Sequence, residues 1–464
     1  NTNLQNDNTR REVRGNARYE LPVSFPLFLK TGASWRQQYA DNQSTSRRWN
    51  YAGTTALPAD PSIVSFDYVK TGRRMPYWEN LQFFSDRQPL TPALWREDQY
   101  YYFQNNYTAN RGVTEWVTAG YGMAQARFGH TFVLGGVRTE RTETESWGYV
   151  RARVGSTVAQ QTADPEGSAN RDYAGTLRKL RGDYTKSFPS LHLGHDITEN
   201  LKARLSWSTS FGRPALNNAM PNETANETNQ TLTINNPSLL PQSAVNWDAS
   251  LEYYFEPVGN VSVSWFRKRI RDYIVTGTNV GTVPSGNNNG FNGEYAGFTI
   301  LTSANAGTAN VNGWEFAYQQ QFTFLPGLLK GLGASLNYTL LETEGDFGGT
   351  VSRSTGQVPG FIPRTGNASI FWRYRRFSTR VLYNYVGSYL TSYNATSPGY
   401  NAYRFEYRTV NLGVAWQFRP SLQFTADVGN LLNEPQRTYR GFRDRMSATI
   451  INGTTITFGL NGRF

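Results

Sequence analysis

The chain has 464 residues, of which 38 % are apolar, 14 % aromatic and 17 % charged, with 43 glycines, no cysteine and a formal net charge of +11. The length admits a large core or several domains, the aromatic content argues against a disordered chain, and the missing cysteines exclude disulfide and thiolate chemistry. No run approaches 18 consecutive apolar residues, so no membrane-spanning helix is predicted, and the scattered arginines form no basic run of the kind that binds nucleic acid.

Residues 1–14, NTNLQNDNTRREVR, have no apolar core and do not read as a signal peptide, so the chain is expected to be mature, truncated or cytosolic. From there, side chains alternate apolar and polar with the period of a β-strand. Segments 11–20 and 27–37 flank a turn at 21–26, and 117–129 leads directly into 130–143. LHLG (191–194) turns at 195–200 into 201–211, 247–255 turns at 256–260 into 261–270, and 311–324 turns at 325–330 into 331–341. Segment 367–375 turns at 376–377 into 378–387, and 410–418 turns at FRPS into 422–429. The last strand carries Ile456, Phe458, Leu460 and Phe464 on one parity. Amphipathic strands joined this tightly are hairpins.

Between the hairpins lie long polar loops near 41–111, 145–183, 211–244, 275–310, 342–365 and 387–404, and a shorter one at 436–447. Loops of this size are unusual in a compact soluble domain, whereas a transmembrane antiparallel β-barrel has short turns at one end and long loops at the other. The count is about fifteen strands. First and last then run the same way and cannot pair antiparallel. Since bacterial single-chain barrels have an even strand number, either one strand escapes the count or an odd number of strands precedes residue 1, and the second is the expectation.

Candidate chemistry is sparse. His192 and His195 stand three apart on a strand, hence on opposite faces, which is wrong for joint metal ligation. The acids of ETEGD (342–346) offer oxygen ligands in an outer loop but lack the spacing of a calcium loop. No GxSxG, P-loop or HExxH is present, so neither enzyme, cofactor nor metal is expected. FGRP (211–214) reads as conformational punctuation at a strand end, because proline restricts the residue before it. Tyr254, Phe255, Trp265, Trp372, Tyr374, Trp416 and Phe418 lie near strand ends and suit interfacial girdles. In the long loops Trp49, Trp78, Trp95, Tyr101, Phe291 and Tyr295 stand among asparagine and arginine. Their rings suit stacking on sugars or aromatic chelators, and equally suit folding the loops onto one another.

Segments 187–214 and 235–274, the run 424–442 with its GNLLNE motif (429–434), and the closing aromatic strand together resemble the barrel of TonB-dependent outer-membrane receptors. The resemblance covers roughly 115–464. It implies an all-β, 22-stranded barrel of the bacterial outer membrane, of which 1–464 is a partial barrel domain. The N-terminal plug and about seven strands would lie outside the chain. It also implies import of a scarce, bulky nutrient such as a siderophore, cobalamin, oligosaccharide or peptide, powered by the TonB–ExbB–ExbD complex acting through the plug. Phe464 would serve as the signal to the outer-membrane assembly machinery, with lipid bilayer and lipopolysaccharide as surroundings. A passive porin of about sixteen strands and a surface scaffold barrel are the competing readings.

Overall fold

The computed structural model describes residues 2–54, 65–68, 73–76, 94–227, 229–256, 258–305, 307–345, 357–394 and 397–462. Fifteen strands form one sheet in strict chain order. They are β1 (Thr2–Glu20), β2 (Leu27–Ser46), β3 (Arg111–Phe128), β4 (Thr131–Tyr149), β5 (Leu177–Asp196), β6 (Leu201–Gly212), β7 (Gln242–Phe255) and β8 (Gly259–Arg271). The sheet continues through β9 (Thr308–Gln321), β10 (Leu332–Gly345), β11 (Arg364–Tyr374), β12 (Phe377–Val386), β13 (Tyr407–Arg419), β14 (Leu422–Gly429) and β15 (Thr455–Gly462). Every neighbouring pair is antiparallel.

One end of this wall carries the connections 21–26, 129–130, 197–200, 256–258, 322–331, 375–376 and 420–421; the other carries 47–110, 150–176, 213–241, 272–307, 346–363, 387–406 and 430–454. The alternation of short and long connections expected from the sequence is therefore present at every hairpin. Several boundaries differ from expectation: the strands rise further, so the loops expected at 41–111 and 145–183 span 47–110 and 150–176. The final loop spans 430–454 rather than 436–447 and contains the short strands Gln436–Arg440 and Met446–Ile450. Glu342 and Glu344 of the acidic run are not in a loop but in β10, opposite Asn312 and Asn310; Asp346 lies outside the described residues.

Cross-strand register keeps apolar positions on one face from edge to edge. One row runs Tyr19, Leu29, Ala124, Gly135, Leu191, Trp207 and Trp247. Another runs Tyr253, Val261, Tyr318, Leu336, Ala368, Tyr383 and Val410, and a third Ile370, Val381, Leu412, Val428 and Ile456. Leu191, Trp247, Leu251, Ile370, Phe458 and Leu460 are exposed on this face, an apolar surface far larger than a soluble protein leaves in water. The opposite face carries Ser250, Ser264, Glu315 and Thr339 in one row and Asn337, Asn367, Asn384 and Thr409 in another. Asn384 Nδ2 donates to Thr409 Oγ1 at 3.1 Å, and the hydroxyls of Ser335 and Ser369 meet at 2.8 Å.

Parity also sorts the expected girdle residues. Phe255, Trp265, Trp372, Tyr374, Trp416 and Phe418 share the apolar face, where Trp265 sits opposite Trp314. Tyr254 does not. It follows Tyr253, so it points to the polar face, and its hydroxyl donates to Glu252 at 2.8 Å. His192 bonds Ser206 at 3.0 Å and His195 bonds Thr131 at 2.8 Å, each on its own face.

An odd number of antiparallel strands leaves β1 and β15 running the same way, and among the described residues no ladder joins them. The wall is also uneven in height. At about 3.3 Å per residue a strand as long as β2 or β5 spans roughly 66 Å, or about 47 Å of height at a 45° tilt. That is well beyond an apolar band of about 25 Å. Above the band the outward row carries Arg11, Gln37, Glu143 and Asp183, with Trp116 among them.

Candidate functional site

The long connections form a layer over the tall end of the wall. Helix α1 (Gln99–Thr108) starts where Asp98 accepts the Tyr101 amide at 2.9 Å, satisfying one of the helix's free donors. Helix α2 (Val158–Ala163) starts with a capping box between Thr157 and Gln160. Helix α3 (Pro165–Tyr173) has Asp164 as its cap and proline in its first turn. Loop strands pair as well: Glu223–Asn226 with Thr231–Ile234, and Thr231–Ile234 in parallel with Thr299–Asn305, which lies antiparallel to Ile274–Thr282. The parallel ladder fastens connection 213–241 to connection 272–307.

A buried ionic lock joins three of these loops. Asp172, 1 % exposed, accepts the Tyr100 hydroxyl, the Ser156 amide at 2.6 Å and Arg151 Nε at 3.4 Å. Arg151 also forks onto Glu294 and donates to the Ser156 carbonyl at 3.0 Å. Each charge thus has partners, which a buried charge requires. Burial, followed by donation to Asp172, pushes the Tyr100 phenol well above its ordinary value, and burial does the same to Tyr173.

The expected ligand-facing aromatics fall into two groups around this lock. In the short ladder Trp49–Tyr51 with Trp95–Glu97, Trp49 is opposite Glu97, and the rings of Tyr51 and Trp95 are 5.4 Å apart. Tyr101 lies beneath the Arg48 guanidinium at 4.5 Å, and Arg48 pairs with Asp98. Phe291 and Tyr295 meet edge to face at 5.7 Å. Arg153 covers Phe291 at 4.7 Å while its two terminal nitrogens hold Glu223 at 2.6 and 3.1 Å. All five rings are half-buried, so loop packing uses part of each surface and leaves part open. Trp78 and Phe464 lie outside the described residues.

A second charged set stands on the polar face just below the loops. Glu115, 4 % exposed, accepts Arg36 at 2.5 Å and lies 3.7 Å from Arg213. Arg213 reaches Glu140 at 2.5 Å, and Glu140 also holds Arg138 at 2.6 Å. The Arg213 guanidinium covers Phe211 at 4.6 Å, and Phe211 stacks on Phe188 at 4.6 Å. FGRP is therefore more than punctuation: its arginine pins the start of connection 213–241 to the inside of the wall. That connection continues across the same face. Ser146 donates to the Ala219 carbonyl at 2.7 Å, and a Cβ on Gly148 would stand 2.4 Å from the Pro221 carbonyl oxygen. This cover explains why Val113, Val117 and Thr142 are buried on a polar face. Strand parity alone puts Arg36, Glu115 and Glu140 on that face, but nothing periodic marks Arg151, Asp172 or Glu294, which meet only through folded loops.

Among the described residues no three His, Asp or Glu side chains converge in a way that would hold an ion.

A sheet of this size, apolar outside, polar inside and capped by interlocked loops, defines an outer-membrane β-barrel. The family model for TonB dependent receptor-like β-barrels matches residues 1–431, and the chain belongs to that family, whose members are transporters of the bacterial outer membrane. Similar solved structures include the copper transporter OprC, 13 % identical with a TM-score of 0.59, covering 99 % of this chain and 58 % of that one. They also include the ferric enterobactin receptor PfeA of Pseudomonas aeruginosa, 17 % identical with a TM-score of 0.59 over 98 % of this chain and 54 % of that one. The ferric-catecholate import receptor Fiu of E. coli K12 is 14 % identical with a TM-score of 0.64, covering 100 % of this chain and 55 % of that one. The chain thus spans a little over half the length of these structures. No curated protein matches it.

Proposed function

We propose that this chain is the wall and outer loop layer of a receptor that imports a scarce, bulky nutrient, a siderophore, cobalamin, oligosaccharide or similar molecule, with energy from the TonB–ExbB–ExbD complex. The observation that carries the reading is a family match joined to a polar bore. A closed barrel of this many strands has an interior its own side chains do not fill. In this reading 1–464 is a partial barrel, closed by an odd number of further strands and plugged by a domain that TonB pulls. Ligand is caught at the loop layer, where the open faces of Trp49, Trp95, Tyr101, Phe291 and Tyr295 stack on flat groups of the cargo, joined by Trp78. Phe464 engages the assembly machinery, and the outward polar row meets lipopolysaccharide. The protein's role is binding and passage, without covalent chemistry on the cargo.

The test is uptake by the full-length receptor in a strain lacking its gene. A panel of ferric siderophores, cobalamin and oligosaccharides is offered with TonB intact or deleted. Uptake of one compound that vanishes without TonB is expected. Passage at an equal rate without TonB would make the protein a passive porin.

A further inference from the structure

The short-turn end of the barrel holds one feature that its neighbours lack. Connection 322–331, FTFLPGLLKG, is the longest at that end and contains a short 3-10 turn, Gly327–Gly331. Phe324 is 65 % exposed, Leu328 53 % and Leu329 48 %. Three large apolar side chains on one turn are not needed for strand reversal, which 375–376 and 420–421 achieve with two residues each.

The turn has a definite direction. The indole N–H of Trp372 donates to the Leu328 carbonyl at 2.9 Å, and Trp372 belongs to the apolar, lipid-facing parity of β11. A Cβ on Gly331 would stand 1.7 Å from the Arg373 carbonyl oxygen, so backbone lies against backbone there. Phe322 continues the outward parity of Trp314, Phe316 and Tyr318, and its ring is 5.8 Å from that of Phe324. The turn therefore bends onto the aromatic belt, where Trp372 stacks on Tyr374 at 6.0 Å and packs against Phe377 at 5.7 Å. Lys330 in the turn and Arg375 and Arg376 in the next one stand at the same end, and neither 322–332 nor 371–378 contains an acid.

We propose that turn 322–331 is a membrane anchor that inserts Phe324, Leu328 and Leu329 into the inner leaflet of the outer membrane, with Lys330, Arg375 and Arg376 binding the headgroups of anionic phospholipid. The apolar turn is continuous with a lipid-facing girdle, and the adjoining charge is of one sign. An apolar surface edged by basic residues is what an anionic bilayer interface recognises. A protein partner in the periplasm would need the same apolar side chains turned away from the bilayer.

These 464 residues contain no cysteine, so a label introduced here is unique within them, and the parent full-length protein labelled alongside gives the background. Phe324→Cys in the full-length receptor is spin-labelled and reconstituted in phosphatidylethanolamine–phosphatidylglycerol vesicles, beside Ser421→Cys in the plain turn 420–421. Collision with lipid-soluble oxygen is expected to exceed collision with an aqueous nickel chelate at position 324, and the reverse at 421. Nickel access at 324 equal to that at 421 overturns insertion and leaves the turn to a soluble partner. For the headgroup half, native mass spectrometry compares phospholipid retained by the parent protein and by Lys330→Gln/Arg375→Gln/Arg376→Gln. Retained phosphatidylglycerol should fall roughly fivefold for each charge removed, with phosphatidylethanolamine unchanged; equal retention overturns the anionic preference. Both readouts are independent of transport, so their failure is distinct from failure of the import reading.

Discussion

Asn430, in the GNLLNE motif, carries a testable share of the local stability of the barrel's last hairpin. Its backbone is left-handed, with φ at 50°, and its N–H donates to Asn411 Oδ1 at 2.9 Å. Its side chain accepts the Glu434 amide at 2.8 Å and donates to the carbonyls of Glu434 and Gly453 at 3.2 and 3.1 Å. Asn430→Ala removes three hydrogen bonds, each worth about 1 kcal/mol net. It also puts alanine where left-handed backbone costs about 1 kcal/mol more than asparagine pays. Because the site is half-buried and water replaces part of the loss, we expect a local cost of about 2–4 kcal/mol, or roughly a 30- to 900-fold rise in the opening equilibrium. Hydrogen exchange of the full-length protein in nanodiscs reads this directly at the Glu434 amide. Asn430→Gly keeps the backbone conformation and separates the hydrogen-bond loss from the strain. Protection at Glu434 that changes less than about threefold in Asn430→Ala would refute the clamp.

Three further outcomes follow from the same structure. Arg213→Ala leaves the buried Glu115 and the half-buried Glu140 with one arginine each and should free connection 213–241, read as faster protease cleavage within that loop while the wall stays resistant. The Tyr100 phenol is raised above its ordinary value of 10.0 by burial and by Asp172. Its folded form thus holds a proton that the unfolded form releases, and the stability it contributes is full below about pH 10 and lost as pH rises beyond it. Tyr100→Phe should flatten that alkaline loss in a thermal-unfolding series. Leu251→Arg puts a charge on the lipid-facing row and should cost about 2–4 kcal/mol if 251 is near the bilayer midplane, measured as a lower folded fraction in the heat-modifiability of electrophoretic bands.

Much of the barrel was legible because strand alternation is local: Leu422, Phe424, Ala426 and Val428 announce their face without knowledge of any neighbour. The hairpins followed from turns short enough to allow only one pairing. Tyr254 departs from the expected girdle because nearness to a strand end says nothing about side, whereas its place next to Tyr253 does. Glu342 and Glu344 have the composition of a loop, yet the outward face of a strand that rises past the bilayer meets water and turns polar, here with Asn312 and Asn310 opposite them. The lock of Tyr100, Arg151, Asp172 and Glu294 was not legible at all. Its members come from three loops, and only packing brings them within hydrogen-bond reach. The same holds for Arg213, whose partners Glu115 and Glu140 are named by parity but not by sequence distance.

The three-residue parallel ladder between 231–234 and 299–305 has a consequence for how the receptor's outer face can diversify. A freestanding surface loop is at liberty to lengthen or change. Two loops stitched together by main-chain bonds share a reading frame: one residue added inside either seam slides every partner past it and turns inside-facing chains outward. An inserted residue is thus expected to be tolerated at 284–288, outside the seam and short of Glu294 in the lock, and not within 231–233 or 299–301.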